Sequence, residues 1–128
     1  MILKWECKLP IKTVSEANSS EHWRKKHNRH KLQKNRIKAA FLIDRPQFAL
    51  PCHVKMVRVA PRSLDVDDNL PGSLKYCKDY IADYLIPGLL PGRADDDKRL
   101  TWSYDQERGK VREYAIIIKI FEVQDVLK

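Results

Sequence analysis

Along the first nine residues, Leu3, Trp5, Cys7 and Leu9 alternate with Lys4, Glu6 and Lys8, which predicts a strand with one buried face. A loop follows, and Ser19 or Ser20 is placed to cap a helix over about residues 20–42. Trp23, His27, His30, Lys34, Ile37 and Phe41 share one side of that helix, and only its ends are strongly apolar. It is therefore expected to dock through Ile37, Ala40 and Phe41 and to leave its first half uncovered. Cys52, Val54 and Met56 alternate with His53 and Lys55 in a second strand running to about residue 60. Leu74, Cys77, Ile81 and Leu85 mark a second helix, which Pro87-Gly88 and Pro91-Gly92 end. Leu100, Trp102 and Tyr104 alternate in a third strand, and residues 111–123 form the fourth. The unbroken Ala115-Ile116-Ile117-Ile118 predicts burial on both faces at the centre of a sheet. The order β-α-β-α-β-β describes an α+β domain with a mixed or mostly antiparallel sheet and helices beside it. A single domain over residues 1–128 fits the length.

Charge changes this picture. The chain has 25 Lys+Arg against 17 Asp+Glu, a net of +8. Between Arg62 and Asp105 there are six basic and nine acidic residues, while the remainder has 19 basic and 8 acidic. A local net of −3 is thus set in surroundings of +11. Six of the carboxylates fall in two clusters, Asp65, Asp67 and Asp68, then Asp95, Asp96 and Asp97, with Lys75 between them. Crowded carboxylates repel unless a cation sits among them, and a hard divalent ion takes oxygen ligands. Asp and Asn also favour turns, so either cluster alone could be a polar loop. Basic surface attracts phosphates, and a metal reverses the sign where carboxylates would repel them. Arg24, Lys25, Lys26, Arg29 and Lys31 on the first helix, with Arg62 and Arg99, are the expected phosphate contacts.

Other chemistry is thinly represented. Cys7, Cys52 and Cys77 are odd in number and lack zinc-ligand spacing, which reads as free thiols in a reducing cytoplasm. His27 and His30 are one turn apart but have no Cys or acidic cluster beside them, which favours a place on the basic helix over zinc. No apolar run approaches a membrane span.

Leu9-Pro10, Ser15-Glu16-Ala17-Asn18 and His22-Trp23-Arg24 open a pattern that continues through the whole chain. Arg62 with Leu64-Asp65, Asp68-Asn69-Leu70, Lys75 with Asp79, Asp96-Asp97 leading to Arg99-Leu100, and Trp102, Tyr104 and Gln106 complete it. In order and spacing these residues resemble the RusA family of Holliday-junction resolvases, particularly its bacteriophage-type members. The resemblance implies a homodimeric endonuclease that uses Mg²⁺, with Mn²⁺ as the alternative ion, to cut four-way junctions and other branched DNA. It implies Asp65, Asp68 and Asp97 as metal ligands and Lys75 as the catalytic lysine. The family's D-x-D-N motif is not met in full, because Val66 stands three residues before Asn69. Either Asp65 reaches the metal through a one-residue bulge or Asp67 takes its place, and Leu64-Asp65 following Arg62 favours Asp65. Two other readings compete: a junction-binding module without catalysis, and a general metal-dependent nuclease.

Overall fold

The computed structural model describes residues 1–16, 22–66, 69–90 and 93–123. Its elements run β1 (Ile2–Leu9), α1 (Trp23–Asp44), β2 (Cys52–Ala60), α2 (Asn69–Leu85), a short 3-10 turn (Ala94–Asp96), β3 (Leu100–Arg108) and β4 (Ala115–Glu122). The chain is a small single-domain α+β fold, and the element order is the one the hydrophobic pattern predicts.

The four strands form one sheet in the order β1-β4-β2-β3. β4 lies antiparallel to both β1 and β2, and β3 adds to β2 in parallel, so the sheet is mixed. In β2, Val54 stands opposite Ile120, Met56 opposite Ile118 and Arg58 opposite Ile116. Across β3 the same row continues as Trp102, Tyr104 and Gln106. This row faces the helices. Val54, Met56, Ile116, Ile118 and Ile120 join Ile37 and Phe41 of α1 and Leu70, Leu74, Cys77, Ile81 and Leu85 of α2 in a single core.

Ile117 corrects the expectation of a strand buried on both faces. Ile116 and Ile118 are fully buried, but Ile117 and Lys119 on the other face are half-buried. β4 is central in its hydrogen bonding, and the helices cover only one side of it. The link from β3 to β4 skips β2, and Gly109 in that link lies close to Val59. A Cβ at residue 109 would meet the Val59 Cγ1 at 3.1 Å.

α1 docks through Ile37 and Phe41 as its pattern predicts, but its first half is not left wholly uncovered, since Arg29 and His30 are largely buried and Gln33 fully so. Gln33, Ile37 and Phe41 are its buried residues, spaced one turn apart, and Ala40 is half-buried. Phe41 lies between Trp5, at 4.7 Å between ring centroids, and Tyr84, at 4.1 Å. Complete burial of such a ring contributes roughly 1.5–3 kcal/mol. Ser19 and Ser20 lie outside the described residues. The cap of α1 is His22, whose Nδ1 accepts from the Arg24 backbone N–H at 3.2 Å. β3 extends four residues beyond Tyr104, and Val111 is left in an exposed turn because β4 begins only at Ala115. Cys52 and Cys77 are buried and Cys7 is half-buried, all as free thiols.

Candidate functional site

The site forms around the chain leaving β2. Arg58, the last inward-facing side chain of that strand, donates from Nη1 to the Arg62 carbonyl at 2.8 Å and holds the turn after the strand. Leu64 is then fixed from β3. Its N–H donates to Gln106 Oε1 at 2.9 Å, and its carbonyl accepts from Gln106 Nε2 at 2.8 Å. A backbone amide pair is thus copied by one glutamine side chain. One residue later, the Asp65 carbonyl accepts from the Leu70 N–H at 2.8 Å and takes up a donor at the start of α2. The Asp65 and Val66 side chains are exposed between these two clamps. Asp67 and Asp68 lie outside the described residues.

α2 starts at Asn69, whose Oδ1 accepts from the Ser15 hydroxyl at 2.9 Å. Pro71 falls in the first turn, where its missing N–H costs nothing. Lys75 follows, with its side chain 65% exposed and its Nζ 3.7 Å from the Asp79 carboxylate, which is only 17% exposed. Burial raises the Asp79 pKa; Lys75 acts against that rise, and the charges of Asp95 and Asp83 add to it.

The second acidic cluster precedes β3. β3 starts beside the start of β2, and the turn before it lies against the first half of α2. Pro71, Gly72, Lys75 and Lys78 on the helix share a pocket of about 270 Å³ with Asp95 and Tyr104. Trp102 fixes the turn in place by donating from Nε1 to the Asp95 carbonyl at 3.1 Å, and the Lys78 ammonium lies 5.2 Å from the centre of the Trp102 ring.

Asp97 has different company. Its Oδ1 accepts from the Arg99 N–H at 2.9 Å and from Nε at 3.0 Å, and its Oδ2 accepts from Nη2 at 3.0 Å. These bonds pull the Asp97 carboxyl down to about 2. The structure therefore brings Asp95 next to Lys75, and pairs Asp97 with Arg99. Among the described residues, no group of three or more His, Cys, Asp and Glu side chains could hold a metal ion.

The expected phosphate contacts divide into three kinds. Arg24, Lys25 and Lys31 are exposed on α1, Lys26 is half-buried, and the Arg24 guanidinium lies 5.4 Å from the centre of the Trp23 ring. Arg29 turns inward, donating to both carboxylate oxygens of Glu16 at 2.8 and 2.9 Å with 11% of each side chain exposed. His30 stays beside that pair, 3.1 Å from Glu16 and stacked 3.8 Å from Tyr76. Arg62 is exposed, and Arg99 is committed to Asp97.

Gln106 and Arg58 are the residues whose positioning roles sequence reasoning missed. Both are polar side chains on the helix-facing row, interrupting runs that are otherwise apolar or aromatic, and that interruption was the available signal.

No family model matches the chain, and no curated protein matches it. No helix among the described residues is long and apolar enough to cross a membrane.

Proposed function

We propose that this protein is a RusA-like, metal-dependent endonuclease that cuts branched DNA by phosphodiester hydrolysis. The observation that carries this reading is Lys75, an exposed cation over the pocket lined by Asp95, on the helix that follows the aspartate loop. Lysine is a compact point charge, able to stabilise charge developing on a phosphoryl oxygen or leaving group. Asp79 lies 3.7 Å from its ammonium, and the side chain as a whole stays 65% exposed.

The donors fit a hard divalent cation in kind, since all are carboxylates, and of the described ones Asp65 is exposed and Asp95 and Asp97 are half-buried. Asp65 and Asp68 would hold Mg²⁺ or Mn²⁺ with one carboxylate from the 95–97 turn. When bound, the ion polarises the scissile phosphate and lowers the pKa of a water. Asp95 suits the third place better than Asp97, whose oxygens already accept three hydrogen bonds from Arg99. The exposed basic residues of α1 supply non-specific attraction to the DNA backbone. A C2 dimer would present two identical sites to the two strands cut in a four-way junction.

The test is incubation of purified protein with a labelled four-way junction, with Mg²⁺, with Mn²⁺ and with chelator, beside duplex, single-stranded DNA and RNA competitors. Paired, metal-dependent cuts that disappear in Asp65→Asn support the reading. Binding without cleavage under every metal condition would leave a junction-binding module, and preference for RNA or unbranched DNA would leave a general nuclease.

A further inference from the structure

A second cavity opens beside the aspartate loop, with a volume of about 300 Å³. Lys12 and Thr13 follow β1, Arg58 and Arg62 lie at and after the end of β2, and Leu64 and Tyr114 close the remaining sides. Three of the lining residues are cationic and none is acidic.

Arg58 is the unusual member. It is 6% exposed, yet its partners are all neutral. Nε donates to Thr13 Oγ1 at 3.0 Å, Nη2 to the Thr13 carbonyl at 3.3 Å and Nη1 to the Arg62 carbonyl at 2.8 Å. Among the described residues, no carboxylate lies within ion-pair distance of it. A guanidinium has five N–H groups, so these bonds leave one on each terminal nitrogen. A charge taken this far out of water is costly unless a counter-charge meets it. Burial lowers the pKa of Arg58, which marks the same imbalance. Lys12, at the surface, adds an ammonium held 4.7 Å from the centre of the Tyr114 ring. Guanidinium forks match the paired oxygens of a phosphate, and bonds to an anion are the stronger class of hydrogen bond.

The position of the cavity gives it a use. Arg62 and Leu64 line it, and Asp65 is the next residue along the chain. We propose that this cavity is a metal-independent phosphate subsite, which takes a backbone phosphodiester of the polynucleotide and registers that strand against the aspartate loop. Its assignment to a polynucleotide rests on the nuclease reading; its anion chemistry does not.

Both arms of the test are run in chelator. In the first, inorganic phosphate is titrated into the protein while the Arg58 Nε–H resonance and the melting temperature are followed. In the second, affinity for a four-way junction is measured across salt concentrations. Each is done with wild type and with Lys12→Gln/Arg62→Gln, two exposed positions outside the core, whose folding is checked by circular dichroism. Phosphate should move the resonance and raise the melting temperature in wild type, and do neither in the double variant. The slope of log affinity against log salt should fall by about 0.9 for each phosphate that the variant no longer neutralises. Unaltered slopes together with no response to phosphate overturn the proposal. A phosphate response with unaltered slopes overturns its assignment to a polynucleotide. If both arms respond and no metal condition yields cleavage, the subsite stands and the nuclease reading falls.

Discussion

Replacing Gln106 tests whether one side chain sets the position of the aspartate loop. Its amide makes two bonds to the Leu64 backbone, at 2.9 and 2.8 Å, and both residues are half-buried. Gln106→Leu removes both and leaves a backbone N–H and a carbonyl without those partners. A typical hydrogen bond contributes about 1 kcal/mol net, so the loss is about 2 kcal/mol, partial access to water keeping it from growing larger. For a chain of 128 residues that corresponds to a fall of roughly 8 °C in melting temperature. Gln106→Glu separates the two bonds. Its carboxylate still accepts from the Leu64 N–H, but its other oxygen faces the Leu64 carbonyl with no proton to share. Protonation restores the donor, and facing a carbonyl raises the carboxyl's pKa in the folded state, so the deficit of Gln106→Glu should shrink as the pH falls toward about 4, the ordinary glutamate value, and stay at its smallest below that. That of Gln106→Leu should stay constant relative to wild type. The assay is chemical denaturation from pH 3 to pH 8, combined with junction cleavage at neutral pH, where turnover should fall further than affinity. A deficit below about 0.5 kcal/mol for Gln106→Leu, or the same pH dependence in both variants, would refute the argument that this amide holds the loop.

Asp95→Asn should reduce metal-dependent cleavage at least about a hundredfold, the scale on which key electrostatic groups act, whereas Asp97→Asn should cost less; initial rates on a labelled junction rank them, and the reverse order would place Asp97 at the metal. The Asp97–Arg99 pair involves a carboxyl lowered from 3.8 to about 2, so it persists at any pH above about 4 and is lost as the pH falls toward 2. Carbonyl-detected NMR of the Asp97 carboxyl should show that midpoint, and Arg99→Gln should return it close to 3.8. Replacing Arg24, Lys25 and Lys26 with Ala should flatten the salt dependence of DNA binding. Arg29→Ala should instead destabilise the fold by roughly 3 kcal/mol, because it takes the guanidinium from a largely buried Glu16; denaturation and salt titration together separate the two effects. Burial raises Cys7 and Cys77 to about 12 and Cys52 to about 11, so thiol reagents at pH 8 should label none of them quickly until denaturant unfolds the chain.

By itself the sequence determined the elements and their order, because burial on one face leaves a period in the residues. The alternation of Trp5, Cys7 and Leu9 and the spacing of Ile37 with Phe41 are local consequences of strand and helix geometry and appear where the pattern put them, whereas Leu3, beyond a shift in the β1–β4 register, is exposed. It also located the charge: exposed basic residues on α1 and aspartates at either end of α2 are properties of composition along the chain. Pairing was another matter. That β4 sits between β1 and β2, with β3 added in parallel, depends on which strands meet across dozens of intervening residues. So does the half-burial of Ile117, since local sequence does not say on which side of a sheet the helices pack. The company each charged group keeps was decided at the same level. Arg29 reads as one more cation of a basic helix until Glu16 folds onto it, and Asp95 and Asp97 are alike in a run of three until Trp102 fixes one and Arg99 takes the other. Electrostatic and hydrogen-bonding partners are chosen in three dimensions, at distances of about 3 Å that sequence separation does not measure.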